Sequence, residues 1–96
     1  MSGQPAVSEA SLPRVIVLDN DAMHDVFEVL GIAGEIVRVR SVYLFEIGEE
    51  LHVRIEQDGA VSEATARVRA HVGPDDARIT ELEISDKSEP RRIVSG

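Results

Sequence analysis

The stretch from Glu49 to Val72 constrains this chain more than any other. It consists of two alternating runs, Glu49–Gln57 and Ala60–Val72, joined by Asp58-Gly59. A two-residue hairpin turn of the primed type needs positive φ at both central positions, and Asp-Gly supplies it. With Asp58 and Gly59 there, Gln57 faces Ala60 and the rest of the register follows. Leu51 then faces Ala66, Val53 faces Ala64 and Ile55 faces Ser62. On the other side Glu50 meets Arg67, His52 meets Thr65 and Arg54 meets Glu63. A slip of one residue would lose both the apolar set and the two opposite-charge pairs, so this register is strongly specified.

A chain of 96 residues makes one small domain, and 43% apolar residues supply a core without staples. There is no cysteine, which excludes disulfides and thiolate metal sites. No apolar run approaches the roughly 20 residues of a membrane helix, and no basic-plus-apolar signal peptide opens the chain. A soluble, cytoplasmic protein with no membrane partner is the expectation. Residues 1–84 hold seven Arg and no Lys against sixteen acids, a balance of −9. From Ser85 onward Lys87, Arg91 and Arg92 outnumber Asp86 and Glu89, giving +1. So acidic a body repels phosphate backbones, and with one Tyr, two Phe and no Trp it has no base-stacking platform. Nucleic acid is therefore not an expected partner.

Taken in order, residues 1–12 are rich in Ser, Gly, Pro and Ala, and read as a disordered leader. Pro13 fixes the start of a first strand at Arg14–Leu18, and Asp19-Asn20-Asp21 is a turn cluster. In Ala22–Leu30 the apolar residues fit helical spacing as well as alternation, and a strand from about Asp25 is the preferred reading. Gly31 and Gly34 suggest a bend or a close backbone approach before a strand at Glu35–Arg40. Ser41–Glu46 reads as an irregular apolar connection to Ile47-Gly48. After the hairpin, Gly73-Pro74-Asp75-Asp76 is a turn. Ala77–Ile84 is a closing strand whose apolar residues Ile79, Leu82 and Ile84 break alternation and hint at a bulge. Residues 85–96 form a polar tail. The expected architecture is all-β, a small six-stranded antiparallel barrel over residues 13–84.

This layout resembles a PilZ domain. Gly31-Ile-Ala-Gly34 leads into Glu35–Arg40, Ile47-Gly48 precedes the long hairpin, and Ala77–Ile84 closes it. Family members that bind cyclic di-GMP carry an Arg-x-x-x-Arg segment before the first strand and an Asp/Asn-x-Ser-x-x-Gly turn. Two guanidinium forks there grip phosphates and guanine edges. In this chain the matching turn is Val29-Leu-Gly31-Ile-Ala-Gly34, where only Gly34 fits, and Arg14 has no arginine partner four residues away. The resemblance thus implies a degenerate PilZ-like barrel that does not bind cyclic di-GMP tightly. It implies a bacterial signalling adaptor working through protein–protein contacts in motility, type IV pilus or secretion machinery.

Two other readings accompany it. A β assembly module similar to the SpoA-type domains of flagellar and type III secretion switches would form an intertwined homodimer. A metal or nucleotide receptor would use Asp19–Asp25, since carboxylates at a strand end suit a hard cation. Arg14–Asp21 also resembles the opening of a receiver domain, but no later phosphoacceptor strand follows. His24 between acids reads as a surface residue, because neighbours on a strand point to opposite faces. His52 and His71 also read as outward surface residues.

No Ser/His/Asp set, phosphate loop or paired-carboxylate pocket is present, so no enzyme, catalytic residue, cofactor or metal ligand is expected. The candidate partner-binding residues are Arg38, Arg40, Arg54, Arg67 and Arg69, which could form basic rows, together with Tyr43 and Phe45. The bland alternative pairs each Arg with neighbouring Glu, at roughly a few tenths to 1 kcal/mol per pair. It makes Tyr43, Leu44 and Phe45 plugs of the barrel end.

Overall fold

The computed structural model describes residues 12–92. The leader therefore lies outside the described residues apart from Leu12, as do the last four residues of the tail. Eight strands follow in order: β1 (Arg14–Asp19), β2 (Ala22–His24), β3 (Phe27–Ala33), β4 (Ile36–Ser41), β5 (Glu50–Gln57), β6 (Ala60–Val72), β7 (Ile79–Ser85) and β8 (Arg91–Arg92). Helix among the described residues is limited to one 3₁₀ turn at Asp75–Ala77.

The strands form one antiparallel sheet in the order β2-β1-β5-β6-β7-β4-β3, with β8 added to β6. The sheet curls until β1 and β3 lie against each other without sharing a ladder, so the body is a half-barrel. The expected all-β antiparallel class is observed, with eight strands where six were expected. One extra strand arises because Ala22–Ala33 splits at Asp25-Val26 into β2 and β3. The other arises because Arg91 and Arg92 pair with Val61 and Ala60.

The β5–β6 register is the expected one at every position from Glu50↔Arg67 to Gln57↔Ala60. Asp58 (φ 55°) and Gly59 (φ 78°) both have positive φ, as a type I′ turn requires. The Asp19 cluster is a second turn of this kind. Asn20 (φ 51°) and Asp21 (φ 70°) connect β1 to β2, with Asp19 opposite Ala22.

Two bulges modify the expected strands. The β3–β4 register shifts between Val29 and Gly31, which makes Leu30 the extra residue and bends β3. The bend at Gly31 is thus present, whereas a close approach is not: a Cβ there would meet nothing within 4 Å. The second bulge lies in β6, where the register with β7 shifts between Val68 and Ala70. Alternation in β7 is in fact regular, because Thr80, Leu82 and Ile84 share its inner face and Thr80 is the polar member. The expected irregularity belongs to the partner strand, at Arg69.

The core gathers inside the curl. Val15, Val37, Val39, Val53, Ala66, Val68 and Leu82 are essentially inaccessible, and Phe27, Ile55 and Ala64 join them. The inner row of β6 is small, with Ser62, Ala64 and Ala66 opposite the larger Ile55, Val53 and Leu51. Small residues on the central strand leave room for Val, Ile and Leu from its neighbours as the sheet closes over them. Leu82→Ala should therefore cost about 2–5 kcal/mol in urea unfolding, because the site cannot collapse. Gly59→Ala should cost about 1 kcal/mol or more, since the added Cβ must occupy positive φ. A smaller loss for Leu82→Ala than for Gly59→Ala would show that the interior is not close-packed.

Candidate functional site

The β4–β5 connection, Val42–Glu49, carries the densest apolar group in the chain, and it is fastened at several points. Val42 N–H donates to the Val26 carbonyl at 3.0 Å. The Ser41 hydroxyl accepts from Tyr43 N–H at 3.2 Å and lies 2.5 Å from the Tyr43 carbonyl, a local turn built by a short polar side chain. Glu49 closes the far end. Its carboxylate accepts from Glu46 N–H at 3.0 Å and its own N–H donates to the Glu46 carbonyl at 3.0 Å. Gly48 N–H and the Glu49 carbonyl then tie the segment to Val68, at 2.7 and 2.9 Å.

The middle of the loop is held by an aromatic ring and a histidine. Phe45 turns inward, its ring 5.7 Å from that of Phe27 at 56° and 6.3 Å from Tyr43 in an edge-on contact. His71 Nε2 lies 2.7 Å from the Phe45 carbonyl and its Nδ1 lies 2.9 Å from the Thr80 hydroxyl. A carbonyl can only accept, so Nε2 carries the hydrogen, and in the neutral ring Nδ1 accepts from Thr80. The reading of His71 as an outward surface residue is therefore corrected. The extra residue at Arg69 shifts the side-chain parity of β6, and His71 lands opposite Thr80 in the inner row. Nothing in the alternation of Arg67–Val72 signals the bulge, so sequence reasoning had no means of finding this contact.

With its backbone fixed, the loop projects Val42 (76% exposed), Tyr43 (62%), Leu44 (65%) and Ile47 (66%). A shallow hollow on one side of Leu44 is lined by Arg40, Tyr43, Asp75, Asp76 and Arg78, and one on the other side by Phe45, Ile47, His71 and Gly73. The plug reading thus holds for Phe45, whereas Tyr43 and Leu44 face outward.

The arginines divide differently. Arg38 pairs with Glu81 at 3.1 Å, Arg40 with Glu28 at 3.7 Å, and Arg54 with Glu56 at 2.9 Å. Arg54 takes its neighbour on the same face of β5 rather than Glu63 across the ladder. Glu63 instead meets His52 Nε2 at 3.1 Å. Arg67 and Arg69 are exposed and have no carboxylate within 4 Å among the described residues. Arg67 nevertheless stands between Glu50 and Glu83 in the register, so this outer face alternates in charge and is no basic patch. The seven candidate residues consequently fall in two places. Arg40, Tyr43 and Phe45 belong to the loop end, and Arg38, Arg54, Arg67 and Arg69 to the outer sheet face.

The turn that the PilZ resemblance marks out lies at the opposite end of β4. Gly34 (φ 63°) is the first central residue of the β3–β4 turn, with Ala33 opposite Ile36. Beside it a cleft of about 280 Å³ is floored by Val15, Val37, Ile55 and Ile84 and rimmed by Glu35, Asp86 and Lys87. No arginine is among the described residues lining it. Arg14 is held by Asp25 at 2.6 Å and approached by Glu56 at 3.6 Å. The hydrogen bond and charge of Asp25, with a smaller effect from Glu56, raise its pKa above the usual arginine value. Arg14 is thus engaged by carboxylates of β5 and of the β2–β3 connection.

The acids of the proposed metal region are accounted for in the same way. Asp19 and Asp21 belong to the β1–β2 turn, Asp25 holds Arg14, and His24 is exposed on β2. Among the described residues no three His, Cys, Asp or Glu side chains come together as a metal site. No described helix is long and apolar enough to cross a membrane. Comparison with protein-family models, with curated proteins and with solved structures returns no match.

Replacing His71 with Ala leaves the Phe45 carbonyl without its donor and the buried Thr80 hydroxyl without its acceptor. The expected loss is about 1–3 kcal/mol, with amide exchange across Tyr43–Phe45 accelerating while Val53 and Val68 stay protected. Uniform loosening of the whole sheet would show that the histidine is a general core residue and not a fastener of this loop.

Proposed function

We propose that this protein is a non-enzymatic adaptor of PilZ-like layout that binds another protein through Val42–Ile47. The observation that carries the reading is the pairing of exposure with rigidity: four apolar side chains project from a backbone already fixed at both ends. A partner that buries them loses little loop entropy on binding, and aromatic and aliphatic anchors of this kind dominate interface energies. Polar and charged groups at Arg40, Asp75, Asp76 and Arg78 would form the rim.

The PilZ part of the proposal rests on the order of turn, connection, hairpin and closing strand. In it, the end of the barrel beside Gly34 has lost its dinucleotide grip and the loop end does the binding. The setting we propose is bacterial signalling in the cytoplasm, in motility, pilus or secretion machinery. Cyclic di-GMP at micromolar concentration should leave the melting temperature unmoved, and a clear upward shift would reverse the degenerate reading.

Leu44→Asp tests the loop itself. The side chain is exposed, so the variant should unfold like the parent while its affinity for a captured partner falls by about 2 kcal/mol or more. Undiminished capture by Leu44→Asp and by Tyr43→Ala alike would place the interface elsewhere.

A further inference from the structure

The edge of β6 carries a second feature, independent of the loop and at the other end of the molecule. β7 covers this edge from Val72 to Thr65, with Ser85 opposite Thr65. The tail then continues along the same edge. Ser88 N–H donates to the Glu63 carbonyl at 2.8 Å, and Glu63 N–H donates to the Ser88 hydroxyl at 2.9 Å. Arg91 and Arg92 pair with Val61 and Ala60.

The fit is imperfect in a specific way. Val61–Thr65 of β6 faces the longer tail segment Ser85–Arg91, so the tail must bow out of line between its two anchoring points. It does so with Asp86 at φ 54°, a left-handed conformation that aspartate adopts in turns but at a higher cost than glycine. Every residue from Ser85 to Arg92 is exposed, so no side chain in the core holds the tail down. The edge beneath it would offer bare N–H and C=O groups if the tail left.

We propose that the tail exchanges between two copies of this chain, each laying Ser88–Arg92 on the Ala60–Glu63 edge of the other. The same hydrogen bonds form in either arrangement, because donor strand and acceptor edge are identical. The exchanged form sheds the bow at Asp86. Charge suits the tail to this edge in either arrangement, since the tail from Ser85 is net positive and the rest of the chain is −9. The result is a two-fold, self-complementary dimer that leaves the Val42–Ile47 loop of each copy free.

The chain has no cysteine, which allows a direct test. Val61→Cys is placed in one preparation and Arg91→Cys in a second, and the two are mixed at high concentration under mild oxidation. Each chain then holds one thiol, so a disulfide between positions 61 and 91 rises above random collision only if the tail of one copy lies on the edge of the other. The expected product is this mixed dimer, well above the level given by Asp76→Cys, an exposed site on a distant turn, mixed with Arg91→Cys. Asp86→Pro forbids positive φ and should raise the dimer fraction in sedimentation. Asp86→Gly tolerates it and should lower the association constant by roughly fivefold per exchanged tail. Truncation after Ser85 should leave only monomer. A mixed disulfide no more abundant than the control, or an Asp86→Pro chain that sediments as a monomer, would overturn the proposal. Neither result bears on capture of a partner by the loop.

Discussion

Two residues with positive φ, Asp58 and Gly59, set β5 against β6, and the remainder of the sheet is hung from that pair. β1 adds to the free side of β5, β7 and β8 share the free side of β6, and β4 adds to β7. Because side chains alternate with a period of two, one turn decides which row of each strand faces the core. The consequence reaches Val37 and Val39 on β4, which are buried because Leu82 and Thr80 of β7 are aligned by Val68 and His71 of β6.

Packing and site geometry meet in the Arg69 bulge. Up to Val68 the inner row of β6 is Ser62, Ala64, Ala66 and Val68, and strict continuation would have brought Ala70 inward and left His71 outside. The extra residue redirects the strand so that an imidazole, and not a methyl group, stands opposite Thr80. That imidazole reaches the Phe45 carbonyl and adds an anchor in the middle of a connection already tied at both ends. A local irregularity in the ladder thus contributes one of the ties that hold four apolar side chains together in water.

What could be read from the residues alone follows the same division between local and distant causes. The hairpin register, the Asn20-Asp21 turn and the irregular Ser41–Glu46 connection were legible because turn chemistry and alternation act over a few residues. The Leu30 bulge was legible only as a bend at Gly31, and the Arg69 bulge only as broken apolar alternation in its partner β7, since an extra residue in a ladder needs no special composition. The three residues of β2 and the two of β8 were too short to show a period. At the candidate site, Tyr43 and Phe45 stood out as a group, but which of them turned inward depended on Phe27, a partner remote in the chain. The arginines were legible as candidates and not as pairs, because Arg54 found Glu56 on its own strand while Glu63 went to His52.

The acidic residues are placed unevenly, and this gives the molecule an electrical anatomy. Asp19, Asp21, Glu46, Glu49, Asp58, Asp75, Asp76 and Asp86 all sit in or next to turns, strand ends and connections, where carboxylates suit the backbone. On the broad sheet surface, by contrast, Glu and Arg alternate and largely cancel. Negative potential is therefore concentrated at the poles of the half-barrel, while its flank is close to neutral. Two such molecules meeting in solution repel pole to pole and tolerate contact flank to flank, so their collisions are oriented before any surface is touched.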